Sequence, residues 1–265
     1  MAADNPPTSP FNRTAQHDAK RAAILSQAAR LFNTKGSRAT TLQDIAASLG
    51  LTKTSLYYYV RTKEELIYQC YMAALDHHHR RLDELKKREL DNAGRALAMV
   101  RQPFVDWQAA RDGKAPHIAA LMEIASLKGE HREQVEARYV EMFRATRQIL
   151  QDGVADGSLR TPETTATTRA ILGSLEWIFY WLHDLPAEAV AAAADQAVDI
   201  IANGLYGGRG LFQASTLPTA EDSGQPLYGF DREEQNRMKQ EACLLYTSPS
   251  PRDNDWYRVC RLLLE

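Results

Sequence analysis

The residues from Lys53 to Tyr58 concentrate groups that can meet a polyanion: one ammonium (Lys53), two hydroxyls (Thr54, Ser55) and two phenols (Tyr57, Tyr58). An ammonium can donate to guanine O6 and N7, and a threonine methyl can pack on thymine. The phenols of Tyr57 and Tyr58 can reach phosphate, as can the Thr41 hydroxyl and the Lys63 ammonium on either side. The elements that must position these groups are legible around them. Leu56 and Val60, at i and i+4, give Lys53 to Val60 one apolar stripe and leave the polar groups off it. Upstream, Leu42, Ile45, Ala46 and Leu49 recur at i, i+3, i+4 and i+7, which predicts a short helix with one apolar face. Thr41 is a natural N-cap with Asp44 three residues on, Gly50 suits a left-handed stop, and Thr52 can cap the next helix. Two short helices joined this way form a helix-turn-helix, whose second helix enters the major groove of double-stranded DNA. An ordinary helical hairpin, with Tyr57 to Tyr59 half-buried in a core, is the other reading of this window.

Charge favours the first. The chain of 265 residues carries a net charge of −2, which does not suit a DNA binder until it is mapped. Between Phe11 and Lys63 stand nine Lys and Arg against Asp18 and Asp44, so this stretch carries +7 and the remainder −9. A basic head on an acidic body is the footprint of phosphate contact. No run of about 18 apolar residues exists to span a membrane, and MAADNPPTSPFNR has neither the basic start nor the apolar stretch of a signal peptide. Cys70, Cys243 and Cys260 have no metal or disulfide spacing, so a reducing cytoplasm is expected, with no cofactor and no metal.

Three linked motifs then resemble the N-terminal domain of TetR/AcrR-family transcriptional regulators. The first helix, Arg21 to Gly36, ends in the pattern A-x-x-L-F-x-x-x-G, with Ile24, Ala28, Leu31 and Phe32 on its core face. Thr41 to Gly50 follows T-x-x-D-I-A-x-x-L-G, and Leu51 to Leu66 follows the third motif, with Val60 where the family usually has Phe. That exchange keeps an apolar wedge of smaller volume. The resemblance implies an all-α fold: an N-terminal three-helix DNA-binding head, residues 18–63, and a C-terminal helical bundle for ligand binding and dimerisation, residues 64–206. It implies that Thr41, Lys53, Thr54, Ser55, Tyr57, Tyr58 and Lys63 meet DNA. It further implies a homodimer on an inverted-repeat operator, since single heads bind weakly, acting as a repressor released by a small apolar or amphipathic effector of unknown identity.

Within the body, a helix from Lys63 to about Glu89 would connect head and bundle. His77, His78 and His79 on it diverge by about 100° each and cannot share one metal, so a solvated charged face is expected. Helices are expected over Ala93 to Arg111, Pro116 to Lys128 and Arg132 to Asp152. Another should start at Thr161-Pro162, with Thr161 as cap, and a last one at Pro186. Ile171 to Leu182, ILGSLEWIFYWL, is apolar nearly all round and should be buried on more than one side. With the Ala-rich last helix it would form the dimer interface that the resemblance implies. Candidate ligand-lining residues are Trp107, Met122, Phe143, Trp177 and Trp181, with His117 and Arg147 as polar contacts to an acidic ligand; plain core or dimer interface is the competing role for each lining residue.

Two rival classes fit less well. An enzyme would need a phosphate-binding glycine loop, nucleophile elbow, metal-ligand helix or Cys/His pair, and none is found. A protein-interaction module could use the tyrosine helix, but the +7 head is explained most simply by phosphate. Beyond the body, residues 1–17 read as a disordered arm and 207–229 as a linker rich in Gly, Pro, Ser and Thr. Phe230 to Ala242 repeats Phe11 to Ala23 at a constant offset, with five identities, and reads as the start of a second helix-turn-helix unit. Cys243 to Asp253, CLLYTSPSPRD, resembles a translated transposase-end sequencing adapter, so residues 243–265 are set aside from fold and function.

Overall fold

A computed structural model describes residues 10–160 and 163–203, all of whose regular elements are helical. The arm at 1–9, the 207–229 linker, the repeat at 230–242 and the adapter-like tail lie outside the described residues. Eight α-helices follow in order: α1 (Pro10–Lys35), α2 (Leu42–Ser48), α3 (Lys53–Tyr57), α4 (Lys63–Lys86), α5 (Asn92–Arg111), α6 (Gly129–Ala155), α7 (Thr164–Trp181) and α8 (Ala187–Asn203). The first helix therefore extends over residues 10–17, where the composition suggests a disordered arm.

The head is built on α1, whose Ile24, Ala28, Leu31 and Phe32 are buried as their spacing predicts. Ile45, Leu56 and Val60 complete its core. Cys70 on α4 is buried against α1, its thiol directed at the Leu25 carbonyl at 3.6 Å, and burial pushes that thiol up to about 12.

In the body, Leu82, Leu85, Met99, Val100, Ile149, Leu150, Ile171 and Leu175 join α4, α5, α6 and α7 in one apolar cluster. A second cluster, Phe104, Ile178, Leu182, Val190 and Ala194, fastens α8 and the end of α7 to α5. Burial of this kind contributes about 25 cal/mol per Å² of apolar surface, so these clusters dominate the stability of the bundle.

Two expected elements differ. Pro116 to Lys128 is not a helix: residues 116–121 are irregular, and the segment holds one 3-10 turn, Ile124–Ser126. Its apolar residues have helical spacing, yet side chains of α1 and α4 satisfy part of its backbone. The helix expected from Thr161-Pro162 starts later. The Glu163 side chain caps α7 by accepting from the amides of Thr165 (2.8 Å) and Ala166, so Thr161 is not the cap, and residues 161–162 lie outside the described ones. Those amide hydrogen bonds hold the Glu163 carboxyl below its ordinary value.

Candidate nucleic-acid interface and apolar cavity

The turn between α2 and α3 is made by local chemistry. The Thr41 hydroxyl accepts from the Asp44 amide (3.1 Å), and the Asp44 carboxylate accepts from the Thr41 amide (2.8 Å), a complete capping box. The hydrogen bonds from Thr41 also lower the Asp44 pKa. At the far end Gly50 takes φ +65°, the Leu51 amide donates to Ala46 O (2.9 Å) and the Gly50 amide to Ala47 O (3.1 Å). This is a Schellman stop, which favours glycine because a Cβ strains at positive φ. Thr52 then caps α3, its hydroxyl accepting from the Ser55 amide (3.1 Å).

With Leu56 and Val60 each 1% exposed, the opposite side of this short helix is open. Lys53, Thr54, Ser55, Tyr57 and Tyr58 are all exposed, Tyr58 at 76%. The structure thus brings together the residues that the sequence proposed for DNA contact, although α3 itself ends at Tyr57 rather than Val60. Several of the groups already have partners. The Ser55 hydroxyl lies 2.8 Å from that of Thr52, the Lys53 ammonium sits 5.7 Å from the Tyr57 ring centre, and the Thr41 hydroxyl donates to Asp44 (2.7 Å). Tyr59 is half-buried; its ring lies 5.0 Å from His17 of α1 and 5.3 Å from Tyr58, tying the end of α3 to α1. Lys63, the first residue of α4, reaches the Arg38 carbonyl at 3.4 Å, close to the loop between α1 and α2.

The second feature is a cavity of about 100 Å³ among α4, α5, α6, α7 and the segment 118–121. Ala74, His77 and His78 face it from α4, Pro103 and Asp106 from α5, and Met142 from α6. Leu172, Leu175, Glu176 and Phe179 line it from α7. Trp107, Met122, Phe143, Trp177 and Trp181, expected to line a ligand site, are not on its wall. Phe143 is core at 2% exposure, and Trp107 packs beside Phe104 with Arg111 above its ring (5.3 Å). Met122 borders a smaller void under α1. Trp177 and Trp181 point outward, 59% and 40% exposed, so α7 is not buried all round in the single chain. His117 and Arg147 do not line the cavity either: the His117 amide donates to Ser26 Oγ (2.9 Å), and Arg147 reaches Thr165 Oγ1 (3.5 Å).

The histidines also differ from expectation. They do not form a solvated face. His77 Nε2 lies 2.7 Å from Asp106 Oδ2, and Arg81 Nη2 and Gln102 Nε2 each donate to Asp106 Oδ1 at 2.9 Å. Burial raises Asp106, but these partners outweigh it and hold the carboxyl below its ordinary value. His78 Nε2 is buried without a hydrogen-bond partner, and burial, with His79 and His77 adjacent, lowers its pKa to about 4. Glu176 carries no hydrogen bond or ion pair among the described residues, and burial raises it to about 7. No group of three metal-ligating side chains exists among the described residues. No described helix is long and apolar enough to cross a membrane.

The segment that forms one wall of this cavity is also bonded to the head. Asn33 of α1 donates from Nδ2 to Ile118 O (2.7 Å) and accepts at Oδ1 from the Ala120 amide (2.9 Å). Ser26 takes the His117 amide, Ser37 donates to Glu123, and the Glu123 amide donates to the Tyr71 hydroxyl (3.0 Å). Sequence reasoning missed Asn33, Ser26, His78 and Glu176 as site residues. The first two carry no periodic signal, and the last two fall within helical patterns that read as surface or core.

Comparison with known proteins agrees with this arrangement. Residues 24–70 match the family described as bacterial regulatory proteins, tetR family, and residues 97–205 match the tetracyclin repressor-like C-terminal domain. The HTH-type transcriptional repressor KstR2 of Mycolicibacterium smegmatis is 30% identical over 60% of this chain and 73% of its own length. KstR2 of Rhodococcus jostii is 25% identical over 74% of this chain and 96% of its own. Among solved structures, the TetR-family regulator PfmR of Thermus thermophilus superposes with a TM-score of 0.56 at 27% identity, covering 69% of this chain and 98% of its own. AibR, solved with isovaleryl coenzyme A and operator DNA, gives 0.55 at 27% identity, covering 68% and 97%. A capped helix-turn-helix with an exposed polar α3, carried on a helical body that matches the family's C-terminal domain, makes this chain a member of the TetR family of DNA-binding transcriptional regulators.

Proposed function

We propose that the chain is a ligand-responsive repressor that binds an inverted-repeat operator as a homodimer and is released when a small apolar or amphipathic effector enters the cavity. The observation that carries this reading is the segment 117–121. Its residues 118–121 line the cavity, and it is hydrogen-bonded to α1 through Asn33 (to Ile118 and Ala120) and Ser26 (to His117), so a ligand that displaces it also pulls on the head. A ligand shifts such an equilibrium only by its differential affinity for the two arrangements.

In the bound state, Lys63 and Thr41 would hold phosphates and set register, with Tyr57 and Tyr58 reaching the backbone. Lys53, Thr54 and Ser55, at the start of α3, would meet base edges. The named repressor relatives and AibR, whose solved complex holds both operator DNA and an acyl thioester, support the class of function. The dimer is supported by four large apolar side chains exposed on α7 and α8: Trp177 (59%), Trp181 (40%), Ile200 (39%) and Ile201 (40%). Two heads on one rigid dimer read half-sites about one helical turn or more apart.

The test is selection of duplexes from a random library by the full chain at near-physiological salt. Enrichment of an inverted repeat is expected. Weak, salt-sensitive binding with no enriched sequence would overturn the reading.

A further inference from the structure

Two polar groups on the cavity wall lack partners. Glu176 has no hydrogen bond or ion pair among the described residues, and His78 Nε2 is buried without a partner. An ionised carboxylate is an acceptor alone, and a neutral histidine can present a bare ring nitrogen as an acceptor. Among the described residues no Lys, Arg, Ser, Thr or Tyr lines the wall, and Asp106 is already engaged by His77, Arg81 and Gln102. An anionic ligand would meet a carboxylate and no cation.

Size narrows the ligand further. An apolar cavity of about 150 Å³ suffices for a benzene ring. One of about 100 Å³ that is open on one side receives a short branched chain of roughly four to six heavy atoms, with its polar end free to lie towards the mouth.

We propose that this cavity takes a small organic amine, its ammonium group paired with the Glu176 carboxylate and its short apolar body against Met142, Leu172, Leu175 and Phe179. The assignment rests on the reading of the cavity as the effector site. Pairing removes the cost that each charge carries alone in an apolar site. The titratable and charged groups facing Glu176 across the cavity are His77 and His78 from α4 and Asp106 from α5; α6 and the segment 118–121 present none to it. Since burial raises Glu176 to about 7 and lowers His78 to about 4, Glu176 ionises between pH 6 and 8 while His78 stays neutral.

Three probes with one branched body separate the possibilities: 3-methylbutylamine, 3-methyl-1-butanol and 3-methylbutanoate, titrated into the full chain by calorimetry. The amine is expected to bind tightest at pH 8 and about tenfold more weakly at pH 6, the ratio of ionised Glu176 at the two values. Glu176→Gln, checked for folding by its melting curve, is expected to abolish the preference for the amine. Tighter or equal binding by the carboxylate or the alcohol overturns the assignment. So does an amine affinity indifferent to pH, or no binding by any probe. The same probes added to the chain on its selected duplex distinguish the two readings. An amine that binds without releasing DNA sinks the effector role and leaves the amine site. Release by the carboxylate without amine binding does the reverse.

Discussion

At the scale of single residues, the side chains proposed to meet DNA would divide into two kinds of work. Lys63 sits at the N-terminus of α4, where backbone dipoles and its ammonium both favour phosphate. Lys63→Ala is expected to weaken binding to all duplexes about equally and to lower the salt slope by about 1. Lys53→Ala should relax discrimination at one base pair by about 1–3 kcal/mol, read by competition among single-base variants of the selected site. Glu176 makes a stability prediction of its own. Its folded pKa is raised from 4.5 to about 7, so the folded state holds its proton more tightly than the unfolded one. The stability this contributes is fully present below about pH 4.5 and is lost as pH rises to about 7, by about 3 kcal/mol. Glu176→Gln should therefore melt near wild type at pH 4.5 and above it at pH 8. Melting curves that shift equally at both values would contradict the burial argument.

At the scale of elements, the helix-turn-helix was legible because its signals are local. Thr41 with Asp44, Gly50 and Thr52 each act within about one turn of their own position, and each does in the structure what its residue type predicts. Gly50→Ala is expected to cost about 1 kcal/mol, since φ is +65° there although no atom lies within 4 Å of the added methyl. Chemical denaturation measures it. The segment 116–128 was not legible for the opposite reason. Ile118, Leu121 and Met122 imitate helical spacing, but the backbone finds its partners on Asn33 and Ser26, more than eighty residues away in the chain. The cavity wall shares this difficulty: Glu176 and His78 become site residues only when α4 and α7 face each other, whereas Trp177, one position on, turns outward. Asn33→Ala removes both amide contacts to the segment. It is expected to leave DNA affinity within a few fold while raising the effector concentration needed for release, measured by titrating a bound duplex.

At the scale of the whole molecule, the proposed dimer would assign the outward faces of α7 and α8 the task of setting how many heads act together. Trp177→Glu combined with Ile201→Glu is expected to halve the mass in sedimentation. It should also lower affinity for the inverted repeat by about a hundredfold or more, while binding to an isolated half-site changes little. A dimer that persists would place the interface elsewhere. Cys70 offers a different view of the same machine. Its sulfur is shut between α1 and α4, and a thiol held near 12 is almost wholly unreactive at neutral pH. In a chain with Cys243 and Cys260 replaced by serine, a thiol-specific dye can label this sulfur only when the two helices part. The rate of colour development would then clock the separation of head from body, and on the proposed function operator is expected to slow that clock and effector to reset it.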